Sequence, residues 1–137
     1  MWLILSLSLF FIPIKVLAKS VWKTVGDAYG LEFLVDLGTA KYIDHSATIE
    51  SKFIMRGITG KVTHEVFSLI EVNCETGLSR HLDRYEKTPT GDKRKAPSVE
   101  NTEWRQPKPG TPGWLEADYA CRFGVLNTQK KPLRLNH

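Results

Sequence analysis

The chain has 137 residues and a formal charge of +4, from 19 Lys and Arg against 15 Asp and Glu. That length makes one domain with a small core. The acidic residues are interspersed with the basic ones along the sequence, and no nucleic-acid partner is expected, since such a footprint needs basic and aromatic residues gathered on one face. Residues 1–18, MWLILSLSLFFIPIKVLA, are apolar from Trp2 to Ile14 except at Ser6, Ser8 and Pro13. At ~1.5 Å per residue this run is too short to cross ~30 Å of hydrocarbon comfortably. Small side chains stand at Val16 and Ala18, three and one residues before a cleavage after Ala18, so 1–18 reads as a secretory signal peptide. No cysteine follows Ala18 to take a lipid, so no stable membrane anchor is expected after cleavage. The expected product is exported, either to the periplasm or beyond the cell.

The mature part opens with strand chemistry. Val21–Val25 and Leu31–Leu37 are rich in β-branched and aromatic residues, and Gly26, Asp27 and Gly30 are expected to turn the chain between them. AKYIDHSATI and SKFIMRG follow, and Gly57 and Gly60 mark a turn into the next strand. From Val62 to Cys74 the residues alternate. Val62, His64, Val66, Ser68, Ile70, Val72 and Cys74 share one mostly apolar face, and the other is mixed, as in an antiparallel sheet covered on one side. So long a run is expected to contain a bulge or bend. ETG turns the chain, and Leu78–Tyr85 returns as a strand.

Residues 87–113 read as a Pro-, Gly- and Lys-rich connection in which Trp104 packs onto the sheet. Its segment KTPTGDKRK reads as a solvated loop, with contact to acidic glycans or anionic headgroups as the sharper alternative. TPGWLEADYACRFG, 111–124, reads as a helix with Thr111 as its cap, Pro112 in its first turn and Gly124 as its stop. Trp114, Ala117 and Cys121 fall in one stripe at helical spacing, so Cys121 is expected to face the sheet that carries Cys74. Residues 125–137 read as a flexible basic tail.

An even pair of cysteines in an exported chain reads as a disulfide, which leaves no thiolate for a Cys74–His81 nucleophile. Metal spacing is absent: there is no CxxC, and HEVFS at His64 lacks the second histidine of HExxH. His45 and His64 read as a loop residue and a strand residue. Asp36, Asp44, Asp83 and Glu86 form no recognisable acid/base pair, and no phosphate-binding or dinucleotide fingerprint occurs. Neither a catalytic residue nor a cofactor is expected.

The order of features resembles the surface-adhesin protein E family of small exported bacterial domains. The resemblance runs over residues 21–121. It is carried by Trp22, by KYIDHSATI with Tyr42 and Asp44, by EVNC, by the lone Trp104 of TEWRQPKPGTPG, and by the segment from Trp114 to DYAC. It implies an α+β fold for 19–124: a single curved antiparallel β-sheet with a short C-terminal helix packed on it and one disulfide, Cys74–Cys121. Trp22, Tyr42, Asp44, Trp104 and Trp114 are then structural residues. It further implies a non-enzymatic binding domain that contacts host matrix or envelope proteins, with homodimerisation through a sheet edge as an added expectation. The alternatives are a periplasmic accessory protein without a host ligand and a carboxylate-based hydrolase.

Overall fold

The computed structural model describes residues 19–96 and 102–129; residues 1–18, read above as a signal peptide, and residues 97–101 and 130–137 lie outside them. Six strands, β1 (Trp22–Ala28), β2 (Leu31–Ile43), β3 (Ser46–Arg56), β4 (Val62–Asn73), β5 (Ser79–Lys87) and β6 (Lys93–Lys95), precede one helix, α1 (Pro112–Gln129). The strands form one antiparallel sheet in the order β1-β2-β3-β4-β5-β6, so every neighbour is joined by a hairpin or short connection. This is the α+β architecture expected, with the helix across β1 to β4 and its closest packing on β2.

The alternation in β4 sets the core. Ser68, Ile70 and Val72 are buried beneath α1 with Val35, Ala47 and Ile49 of the neighbouring strands, while Phe67, Leu69 and Glu71 face the other way, half-exposed. The irregularities fall at the strand ends and on partners. Met55 opposes His64 and Arg56 opposes Val62, so Thr63 is extra on β4; Leu69 opposes Asp83 and Ile70 opposes His81, so Leu82 is extra on β5.

Several expectations are corrected. Gly26 and Asp27 do not turn the chain; they lie within β1 beside a bulge at Val25, and the turn is Tyr29–Gly30. A turn that the sequence does not announce occurs at Asp44–His45, both left-handed with φ of 48° and 65°. This is the backbone of a two-residue hairpin turn, which Asp tolerates without a glycine. The segment read as a solvated loop instead pairs with β5 through β6. A bridge between Ser79 and Arg105 adds the later connection to the sheet at the opposite end of β5.

The helix also differs. Thr111 Oγ1 accepts from Trp114 N at 3.4 Å, which is the expected cap. The buried face, however, is Glu116, Ala117, Ala120 and Gly124, and Trp114 is 39% exposed. Small residues line this face because the helix backbone comes close to β2. A methyl group at Gly124 would meet the Lys41 carbonyl oxygen at 2.9 Å. Gly124 therefore permits close packing and does not end the helix, which runs five residues further into the expected tail. There Asn127 donates to the carbonyls of Leu37 and Ala40 at 2.9 and 3.0 Å, satisfying the irregular stretch of β2 that the strand ladder leaves open.

Cys74, just past β4, is bonded to Cys121 in the middle of α1, with Cα atoms 5.9 Å apart. Closing a loop of 47 residues stabilises the fold by about 4 kcal/mol in the chain-entropy model. The bond fastens the helix to the end of the sheet where Cys74 N also donates to His45 O at 2.8 Å.

Candidate functional site

The residues singled out from sequence do not converge. Tyr42 is half-buried under α1, its hydroxyl 3.4 Å from His45 Nδ1. Asp44 forms the β2–β3 turn. Trp114 lies on the outer side of the helix. Only Trp22 and Trp104 belong to a larger surface, the sheet face opposite α1.

Beneath α1, one row of the sheet is polar. Ser51, Ser68 and Arg84 are register partners on β3, β4 and β5. Ser51 donates to Glu116 of α1 at 2.7 Å, and Ser68 shares a 2.6 Å hydrogen bond with His81 Nδ1. Burial pushes the Glu116 carboxyl up to about 7, although the Ser51 hydrogen bond and the Arg84 charge oppose it. Burial, with the charges of Arg84 and Arg105, pushes His81 down to about 4. A serine beside a neutral histidine has the elements of a nucleophile and its base. Here, however, Ser68 is buried under the helix and Glu116 is spent on Ser51. The arrangement is a polar layer in a small core, hydrogen-bonded through Ser51–Glu116 and Ser68–His81, while the buried Arg84 Nε has no hydrogen-bond partner among the described residues. Among the described residues, no group of three or more His, Cys, Asp or Glu is placed to hold a metal ion.

The opposite face carries no helix among the described residues. Trp22 meets Phe67 edge-on at 6.0 Å, and Phe67 stacks on Tyr85 at 5.0 Å. Trp22 is on β1 and Phe67 on β4, about three strand spacings of ~4.8 Å apart in a flat sheet. Their contact follows from the sheet curling toward this face. Lys52 lies over Trp22 at 4.3 Å and over Phe67 at 5.5 Å, and Lys93 lies over Tyr85 at 5.1 Å. At the far end, the Arg80 guanidinium sits 4.5 Å from the Trp104 ring and donates to Glu71 at 3.3 Å, which pins the connection before α1 to the sheet. Burial, together with the charges of Glu50 and Asp83, pushes the Tyr85 hydroxyl above its ordinary value.

Glu50 and Asp83 stand on either side of Leu69 at a recess of about 120 Å³ that Phe67 and Tyr85 also line. Enclosing sites for small substrates run from roughly 300 to 1,000 Å³. This recess is too small to enclose a sugar substrate between the two carboxylates, so it lends no support to the hydrolase alternative.

The chain matches no family model, and neither the curated proteins nor the solved structures compared with it gave a match. Lys52, Phe67, Arg80 and Tyr85 were not foreseen as surface residues. The signal for Phe67 was present: it lies on the mixed face of the β4 alternation, where an apolar ring has no core to enter.

Proposed function

We propose that this protein is an exported, non-enzymatic binding domain of the kind its sequence resembles, contacting an extracellular matrix or cell-envelope protein through the uncovered face of the sheet. The observation that carries this reading is the set of half-exposed Trp22, Phe67, Tyr85 and Trp104 with Lys52 and Arg80 on one curled face. Aromatic and Arg side chains of this kind are enriched among residues that dominate binding energy at protein interfaces. Their positions are fixed before binding by ring stacking and cation–π contact, so little side-chain entropy is left to lose on association.

Export is supported by two features: an apolar leader with small residues at its end, and a structural disulfide. The outer edge of β1 is a second route for contact, either with an extended segment or with another copy. The bulge at Val25 and the exposed Lys23 are features that discourage such pairing, which favours the face over the edge.

The test is a binding panel of matrix and envelope proteins against residues 19–137 and against a Trp104→Ala, Lys52→Glu variant. Trp104 also pins the connection before α1 and Lys52 lies over two rings, so folding of the variant is verified by thermal denaturation before binding is compared. The reading expects a panel member to bind and the variant to lose at least ten-fold in affinity. Equal binding by the variant moves the contact elsewhere. A protein confined to the periplasm that binds no panel member favours the accessory role.

A further inference from the structure

The formal charge of +4 is not spread over the chain. Residues 79–96 and 102–108, which form β5, β6 and the connection beside them, hold eight Lys and Arg against four Asp and Glu, and the remainder is balanced. Within that region the cations concentrate at one corner. Lys93, Arg94 and Lys95 make up the edge strand β6, and all three are exposed. Lys87 is the direct register partner of Lys93, and Lys95 is the partner of Tyr85. Side chains two apart on a strand share a face, as do direct cross-strand partners, so Lys87, Lys93 and Lys95 surround Tyr85 on the uncovered face.

Among the described residues none of these three lysines makes an ion pair, although Glu65 stands opposite Lys87 across the strands and the charges of Glu50 and Asp83 reach Tyr85. Arg94 points the other way and pairs with Glu86 at 2.9 Å. Asp92 is engaged by the Thr90 hydroxyl at 3.0 Å, and Glu65, the register partner of Lys87, makes no ion pair with it. Like charges directly opposite each other across strands are unfavourable. A single lysine suffices to protect an edge strand from unwanted pairing. Three converging on one ring form a concentrated positive site complementary to repeated negative charge.

We infer that this corner binds a linear acidic polysaccharide, with Lys87, Lys93 and Lys95 contacting its carboxylate or sulfate groups and the edge of Tyr85 lying against its rings. A polysaccharide is favoured over a nucleic acid because the Cys74–Cys121 bond belongs to an oxidising compartment, where the polyanions encountered are glycans. The site occupies one corner of the face assigned above to protein binding and does not depend on that assignment.

The experiment titrates residues 19–137 with a size-defined heparin hexasaccharide, polygalacturonate, neutral dextran and single-stranded DNA of similar length. Lys93→Gln, Lys95→Gln is compared with Lys19→Gln, Lys41→Gln, which removes the same charge from exposed positions elsewhere. Binding to an acidic glycan at ~50 mM salt is expected, weakening as salt rises because counterions are released. Loss of two surface charge contacts is expected to weaken binding about ten-fold, against less than two-fold in the control.

Absence of binding to both acidic glycans, or equal losses in the two variants, overturns the inference. Equal or tighter binding of DNA overturns the choice of polysaccharide. A protein partner that still binds through Trp104 and Lys52 after either result leaves the proposed function standing.

Discussion

Substituting Glu116 by Gln should change how stability depends on pH, and the size of the change follows from the layer under α1. Native Glu116 holds its proton up to about pH 7, whereas an unfolded glutamate releases it near 4.5. The folded state therefore binds more protons through that window, and stability falls as pH rises from 4.5 to 7. At ~1.4 kcal/mol per pH unit the loss is about 3 kcal/mol. His81 acts in the opposite direction. Its native value near 4 lies below the ordinary 6.5, so the unfolded chain takes up the extra proton, and stability is gained by about 3 kcal/mol as pH rises from 4 to 6.5. The two contributions cancel between about pH 4.5 and 6.5, and the wild type should be nearly flat there.

Glu116→Gln keeps an acceptor for Ser51 Oγ and removes the ionisation. The difference between variant and wild type should then grow in the variant's favour by about 3 kcal/mol from pH 4.5 to 7.5. Urea denaturation with the disulfide intact, repeated across that range, measures it, and any constant offset from the fit of the amide drops out. A difference that does not vary with pH would show that Glu116 is not buried as a neutral acid, and the polar layer described here would be wrong.

Other substitutions test separate parts of the fold. Gly124→Ala should destabilise by about 1–3 kcal/mol, because the added methyl meets the Lys41 carbonyl and the helix must lift from β2; the shift in denaturation midpoint reports it. Replacing Cys74 and Cys121 together by Ser should cost about 4 kcal/mol in the same assay and increase amide exchange in α1 beyond the rest of the chain. Tyr29→Asn should stabilise by roughly 0.5–1 kcal/mol, since Tyr29 is fully exposed at φ 55° and Asn-Gly suits the two-residue hairpin turn better; a lowered melting temperature would contradict that reading of the turn.

The legible parts of the sequence were those where one residue type answers one local demand. The period-two pattern of Val62–Cys74 placed Ser68, Ile70 and Val72 on the core face, Gly57 and Gly60 marked their hairpin, and Thr111-Pro112 opened the helix. Local chemistry misled where tertiary contact decides. Gly124 looks like a stop, but it is small because β2 lies against it. Trp114 looks like core at helical spacing, yet the narrow gap between helix and sheet admits Ala117 and Ala120 in preference to an indole. Asp44–His45 turns the chain without Gly or Pro. The surface set of Trp22, Lys52, Phe67 and Tyr85 comes from four strands and is assembled only when the sheet curls, so no spacing in the sequence encodes it.

The account rests on a chain that leaves the cytosol and closes its cross-link. Intact-mass measurement under non-reducing conditions, on protein recovered from the cells that make it, tests this most directly. The expected species begins at Lys19 and lacks the two thiol hydrogens of Cys74 and Cys121. A full-length species with both thiols free would contradict export, the tethered helix and the binding role built on them.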